Sequence, residues 1–336
     1  MIDFFVNYGM FLAKTVTIVF FIGIVIVLIA SAAQKKPAED EQIEIKNLGK
    51  KFADLKHLMQ RSVLSKKQLK TFKKEHKRAS KKAAEHSHDK RVFVLNFVGN
   101  IKASGVKHLR QEITALLAIA TPQDEVVICL ENAGGLVHEH GLAASQLQRI
   151  RQRNIPLTVA VDKVAASGGY MMACVADHIV AAPFSVLGSI GVLAQMPNFN
   201  KLLEKHGIEY EQIKAGELKR TLTMFGKNTD EDRSHFTQQM QETHDLFKEF
   251  VADNRQQLDI EKVATGEHWL GKKALELKLV DELLTSDDYL LNKSEHAEIY
   301  QISHRSSKTL SEKLMGNAQL AYDKVLTQWW EKKLLS

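Results

Sequence analysis

Two cysteines in 336 residues leave the chain without the material for a disulfide framework. Cys129 lies in an apolar strand-like run and Cys174 in a helix-like one, the usual settings of buried thiols. A second long apolar run is also missing. Thr15 to Ala33 gives 19 residues without a charge, and nothing after it is long and apolar enough to cross a bilayer. Positive charge is absent from where a nucleic-acid enzyme would carry it. The net charge is +6, yet residues 35–91 hold 18 Lys and Arg against 8 Asp and Glu, so the chain from Val92 onward is acidic on balance. Nucleic acid is therefore not expected as a partner. Metal-ligand clusters are lacking too: His138 and His140 flank Glu139, but no second group at ligand spacing completes a site, so neither metal nor cofactor is expected.

What is present divides the chain into four parts. Residues 1–34 form an N-terminal segment whose apolar run, about 15–33, reads as a single transmembrane anchor. Ala30-Ser31-Ala32 resembles a signal-peptide cleavage site, but the run exceeds a normal h-region and no basic residue precedes Lys14. Residues 35–90 are a basic, partly helical linker in which Phe52, Leu55, Leu58, Met59, Leu64, Leu69 and Phe72 partly keep helical spacing. This stretch reads either as a segment lying on an anionic bilayer surface or as a solvated spacer. His76, His86 and His88 within it read as surface histidines. Residues 91–295 form the main folded domain, and 296–336 a C-terminal strand followed by an amphipathic helical tail.

Within the domain, strand-like runs at Arg91–Val98, Glu125–Leu130 and Pro156–Val161 alternate with segments of helical period at Lys107–Ala120 and Gly141–Arg151. That order implies an α/β fold with a largely parallel sheet flanked by helices. A long amphipathic helix is expected from Asp230 to Gln257. The segment Asp162-Lys-Val-Ala-Ala-Ser-Gly-Gly-Tyr170 sits between a strand and a helix, which places Ser167 on a tight connection where Gly168 and Gly169 permit close approaches. Ser167 then reads either as a helix N-cap or as a nucleophile beside free helix-start N–H groups that would hold an oxyanion. Asp162 and Lys163 are neighbours to weigh, the first as a backbone cap, the second as a rival base. His138 and His140 are placed at a rim or facing substrate.

The company of the serine motif is more specific. Ala165-Ala-Ser-Gly-Gly-Tyr170, the Gly134-Gly135 turn one strand earlier, Leu187-Gly-Ser-Ile-Gly-Val192 and Lys214-Ala-Gly-x-x-Lys219 together resemble the signal peptide peptidase A (SppA-type) family of Ser-Lys peptidases. The likeness runs from about Val92 to Leu284. It implies Ser167 as nucleophile, Lys219 as general base, Ser189 as a hydrogen-bond partner of the lysine, and N–H groups of Gly168, Gly134 and Gly135 as the oxyanion hole. It also implies a ClpP/crotonase-like spiral of β-β-α units. One departure is visible: Asn132-Ala133-Gly134-Gly135 stands where the family usually has Ser-Pro-Gly-Gly, so the turn is less pre-set by proline.

The reading is thus a membrane-anchored serine endopeptidase that cleaves peptides or unfolded, signal-peptide-like segments near the bilayer. The runner-up is a crotonase-type acyl-CoA enzyme, and a third reading is an inactive membrane scaffold. A homo-oligomer is expected because the resemblance implies assemblies whose dyads can be completed across a subunit boundary. Leu310, Leu314, Ala318, Ala321, Val325 and Trp329 offer a helical clasp. Basic residues after the span favour a cytoplasmic domain, whereas the resemblance favours export; the periplasmic face of a bacterial inner membrane is the expectation adopted.

Overall fold

The computed structural model describes residues 2–33, 42–65, 68–69, 90–216, 219 and 222–305. Two units are distinguished, one holding residues 1–42 with 305–336 and the other residues 43–304. In the first unit α1 (Ile2–Ala33) is the only helix among the described residues long and apolar enough to cross a membrane, with a window over Val6–Ile24 of mean hydropathy 1.5. The expected span at about 15–33 overlaps this helix, which begins earlier. The proposed clasp at 310–329, and His76, His86, His88 and Phe72, lie outside the described residues.

The second unit opens with β1 (Gln42–Asn47) and α2 (Leu48–Val63), the latter capped by the Asn47 side chain on the Lys50 N–H. Then follow β2 (Arg91–Gly99), α3 (Val106–Leu117), β3 (Glu125–Asn132), α4 (Val137–Arg151), β4 (Leu157–Val161), β5 (Val164–Ala166) and α5 (Gly168–Ala173). The remainder is β6 (His178–Ala181), β7 (Val186–Gly188), α6 (Asn200–Lys205), α7 (Asp230–Asn254), α8 (Ile260–Val263), β8 (His268–Leu270), α9 (Gly271–Glu276), β9 (Glu282–Leu283), α10 (Ser286–Lys293) and β10 (Glu298–Arg305). The alternation expected from the sequence is present, and the long helix runs from Asp230 to Asn254 behind a Thr229–Asp232 capping box.

The main sheet has the order β1-β10-β2-β3-β4-β6-β9. Pairs β10–β2, β2–β3, β3–β4, β4–β6 and β6–β9 are all parallel. Continuous apolar strands such as Val92-Phe-Val-Leu95 are what a sheet covered on both faces requires. Phe93, Leu95 and Phe97 point into one core with α3, α4, α5 and α7, while Val92 and Val94 point into a second with Tyr289, Leu290, Leu48 and Phe52. Each such fully buried side chain contributes about 1.5–3 kcal/mol.

The folded unit is wider than the expected 91–295 domain. β10 lies parallel to β2, with Glu298 opposite Arg91, and α2 packs Leu48 and Phe52 under the sheet, so both flanking segments belong to it. Burial of the apolar sides of β10 and of an amphipathic helix supplies the reason: neither covers its apolar side when alone.

What places the site is a change of partner at the end of β3. Val126–Cys129 pairs with β4, but Asn132 pairs with Ala165 of β5, which the chain reaches by turning at Asp162-Lys163. β5 in turn runs parallel to β7, and β7 pairs antiparallel with β8. A small second layer of three strands thus forms beside the carboxyl ends of the main sheet.

Candidate active site

Ser167 follows the last residue of β5 and precedes α5, and its backbone is held at φ 52 and ψ −120. For a residue with a Cβ this conformation costs about 1–3 kcal/mol and persists only where surrounding contacts impose it. Those contacts are visible. The Ser167 N–H donates to Gly188 O at 2.7 Å, continuing the β5–β7 pairing, and the Ser167 carbonyl accepts the Met171 N–H at 2.9 Å as the first turn of α5. The Ser167 side chain makes no capping hydrogen bond. Of the two readings of this serine, the N-cap therefore fails: the hydroxyl leaves the helix start and lines a groove.

That groove has a volume of about 310 Å³. Gly135, Ser167 and Gly168 form a polar end, and Val137, Met171, Val192, Leu246, Phe247 and Phe250 make most of the rest apolar, with Ser145 and Thr243 also on the wall. Leu246, Phe247 and Phe250 come from α7, a wall that sequence reasoning placed on a helix but not at the site. The far end of that helix is fixed by Arg255, 2% exposed, whose guanidinium donates from both terminal nitrogens to the Asp281 carboxylate at 2.8 Å and also to Lys278 O at 3.0 Å. Burial raises the Asp281 carboxyl, but the Arg255 hydrogen bonds and the Ile179 N–H outweigh it and hold the group below its ordinary value.

Glycine is required where the β3–α4 turn meets the serine. Gly134 has φ 93, and a Cβ there would stand 2.7 Å from Ser167 Cβ and 2.9 Å from the Gly168 nitrogen. A side chain at Gly168 would meet the ring of His140 at 2.4 Å. The turn and the start of α5 are thus packed backbone against backbone. The Gly134 N–H is not free, because it donates to Asn132 Oδ1 at 2.8 Å. Gly134 is therefore a spacer and not an oxyanion donor, which corrects the expectation. Gly135 and Gly168 line the groove, and among the described residues their N–H groups have no acceptor.

Ser189 also carries a positive φ, 52, and donates its N–H to Glu267 O at 2.6 Å. The register Ala166–Gly188 places it one step beyond β7 as Ser167 is one step beyond β5, so the two serines end neighbouring strands. Lys219 is not brought to them. It is exposed, its N–H donating to Gly216 O at 3.1 Å, and it is not among the residues lining the Ser167 groove.

The rival groups are otherwise engaged. Lys163 is exposed and paired with Glu131 at 2.9 Å. Asp162 accepts the Ser286 N–H at 2.8 Å, the backbone-capping role expected of a strand-end acid. His138 is exposed beside Glu139, but His140 is completely buried, which corrects the rim position expected for it. Burial pushes the Cys129 thiol up to about 11 and raises Cys174 further, so neither is a thiolate nucleophile at neutral pH. Among the described residues no group of three or more His, Cys, Asp or Glu is arranged to hold a metal.

Comparison with known proteins agrees with this architecture. Residues 3–147 match the N-terminal region of peptidase family S49, and residues 149–300 match peptidase family S49 itself. The chain is 45% identical over 330 residues to "Probable protease SohB" of Haemophilus influenzae, covering 94% of each chain. It is 54% identical over 224 residues to "Probable protease SohB" of Buchnera aphidicola from Acyrthosiphon pisum, covering 67% of each. "Protease 4" of Haemophilus influenzae is 27% identical over 172 residues, which cover 51% of this chain and 28% of that one. These matches cover nearly the whole chain, strained serine and apolar groove included, and the chain belongs to peptidase family S49.

Proposed function

We propose that the protein is a membrane-anchored serine endopeptidase working through a Ser167–Lys219 dyad, in which the lysine is supplied by a second copy of the chain. The observation that carries the serine half is the backbone of Ser167, strained at φ 52 with its hydroxyl uncapped at the polar end of an apolar groove. The observation that favours a shared dyad is the exposure of Lys219, on a segment whose Leu193, Ile208 and Ile213 are 77%, 53% and 97% exposed. Apolar side chains displayed in this way gain from burial against a neighbouring subunit.

In the reaction, the neutral lysine amine takes the Ser167 Oγ proton as Oγ bonds to the scissile carbonyl carbon. The N–H groups of Gly168 and Gly135 receive the developing oxyanion, and Ser189 holds the lysine amine. The lysine ammonium then gives its proton to the leaving amine as the C–N bond breaks, and a water molecule, deprotonated by the same lysine, attacks the acyl carbon; Ser167 Oγ leaves and takes that proton back from the ammonium, which restores both groups. Lysine is ordinarily an ammonium at neutral pH, so a base role requires an apolar cover that penalises the charge. A neighbouring subunit would give that cover, which is why we assign a homo-oligomer. The apolar groove suits hydrophobic side chains of peptides or unfolded, signal-peptide-like segments. The strand-switching of β4 to β5 beside β3 supports a ClpP/crotonase-like spiral, and α1 supports a membrane anchor; the resemblance to SppA-type peptidases is the ground for placing it in a bacterial inner membrane with the domain on the periplasmic face.

The decisive experiment is reaction with a serine-directed fluorophosphonate and localisation of the adduct by mass spectrometry. An adduct on Ser167, lost in Ser167→Ala, is expected; labelling elsewhere or not at all overturns the reading. Co-assembly of Ser167→Ala with Lys219→Ala protein should restore cleavage that neither has alone, whereas no recovery would return the base to the same chain.

A further inference from the structure

The β3–α4 turn holds a buried polar network that the peptidase chemistry above does not use. Asn132, 1% exposed, ends β3 and turns its side chain back beneath the loop that follows. Its Oδ1 accepts the Gly134 N–H at 2.8 Å, an Asx-type closure of the turn, and its Nδ2 donates to Met172 Sδ at 3.6 Å. These two contacts fix which end of the amide faces the turn. His140, in the first turn of α4 and fully buried, brings Nε2 to 3.2 Å from the same Oδ1, and Nδ1 to 2.9 Å from Leu136 O. The face of its ring lies where a Cβ on Gly168 would stand, 2.4 Å from Cγ.

One imidazole therefore touches both peptides whose neighbours form the polar end of the groove. Through Asn132 it braces the Gly134–Gly135 turn, and by direct packing it supports the backbone of Gly168. Spending the Gly134 N–H on Asn132 fixes the orientation of the next peptide, that of Gly135. A donor aimed at a developing oxyanion is worth about 10²–10³ in kcat, and a displacement of about 1 Å can forfeit a comparable factor. A half-satisfied buried network would not hold such an aim.

We propose that His140 and Asn132 are positioning residues that set the two oxyanion donors of the Ser167 site, with His140 bracing Asn132 through the Nε2–Oδ1 contact. The proposal rests on the serine-peptidase reading for its kinetic consequence, though not for the brace itself. Neither residue touches substrate or the reacting atoms. Each acts through a backbone amide, so its loss should lower kcat and leave substrate affinity unchanged.

The test uses full-length protein in detergent. In His140→Leu, which keeps bulk and removes the ring nitrogens, kcat for peptide cleavage should fall about tenfold to a hundredfold with KM within about twofold. Peptide affinity measured in the Ser167→Ala background should be the same with or without the change at His140. His140→Gln, whose amide nitrogen takes the place of Nε2, should restore most of the rate, and His140→Asn, whose amide nitrogen takes the place of Nδ1, should not. A wild-type kcat in His140→Leu, or a loss confined to KM, overturns the proposal. Should His140→Leu fail to fold, the comparison of His140→Gln with His140→Asn decides, since equal rates for the two would overturn it. Hydrogen exchange of the Gly134 amide separates this outcome from failure of the peptidase reading. Slow exchange in wild type that becomes fast in His140→Leu supports the brace even if Ser167 takes no fluorophosphonate, and exchange unaffected by the substitution counts against it.

Discussion

The segment around Ser167 and the segment around Lys219 are built in opposite ways. Ser167 stands between β5 and α5, with buried residues on either side, Gly134, Gly168 and Gly188 packed too closely against backbone or ring to admit a Cβ, and its N–H fixed on Gly188. Lys219 follows a stretch in which Leu193, Ile208 and Ile213 face outward and the apolar contacts are small local ones, such as Phe225 with Phe199 and Tyr210. Conformational strain can be stored only where packing over-determines the backbone. The nucleophile end meets that condition within one chain, and the lysine end does not. On the proposed reading, a dyad completed between subunits would make activity depend on assembly.

The largest effect should come from the exposed half. Lys219→Ala is expected to remove cleavage as fully as Ser167→Ala, by a factor on the order of 10⁶ for residues acting as a unit, while leaving the melting temperature unchanged because Lys219 is exposed. Paired rate and melting measurements check this. Substantial residual activity in Lys219→Ala would place the base elsewhere and end the contrast.

Next in size is a change inside the packed half. Gly134→Ala introduces a methyl 2.7 Å from Ser167 Cβ at a backbone φ of 93. Activity should drop by about 10²–10³, the scale of a lost oxyanion donor, and stability should fall with it, since strain of this kind costs about 1–3 kcal/mol. Denaturant unfolding beside kcat tests whether the two losses come together. A variant with wild-type rate would mean that the turn tolerates what its geometry forbids.

A third change probes the outward-facing apolar surface. Ile213→Ser, at a position 97% exposed, should leave the unfolding of the monomer within about 0.5 kcal/mol of wild type. It should nonetheless shift the assembly toward smaller species in sedimentation, and lower specific activity at low protein concentration. Unchanged sedimentation would remove Ile213 from the subunit contact.

The smallest effect is on acid stability, and it belongs to the packed half alone. Asp281 is held below its ordinary value by Arg255, so the stability it lends is present above the unfolded carboxyl value of about 3.9 and is lost as pH falls through the lower folded value. Melting temperature should therefore decline below about pH 4, and Asp281→Asn should flatten that limb. Because Arg255 and Asp281 hold the end of the helix that supplies Leu246, Phe247 and Phe250, the same substitution should weaken binding of hydrophobic peptides at neutral pH. A pH profile identical to wild type would dismiss the clasp as a source of acid sensitivity.

Some of this was legible in the letters. Ser167-Gly-Gly after a β-branched run could hardly be other than a strand-to-helix turn, because local sterics restrict where such a sequence can place its backbone. The long helix, expected from Asp230 to Gln257, announced itself through its period and runs from Asp230 to Asn254. The apolar run behind α1 needed only its length. These features depend on interactions within a few residues, and a sequence states those directly.

Other features were out of reach for a physical reason. Whether Ser167 caps α5 or leaves its hydroxyl free depends on the Gly188 carbonyl, which the β5–β7 register delivers from another strand. His140, like His138, reads as a rim or substrate-facing histidine until α4 is docked, for two residues of helix rotation decide which of the two is buried. The Gly134 N–H looked like an oxyanion donor until Asn132 turned back to take it, and Arg255 found Asp281 only once α7 lay against the loop before β9. The sequence by itself determined the local backbone and the alternation of strand and helix, and it singled out Ser167. Tertiary structure alone decided which polar groups are spent, which face of each helix is dry, and that Lys219 is left exposed and outside the lining of the Ser167 groove, since burial and pairing between distant residues are properties of the packed chain.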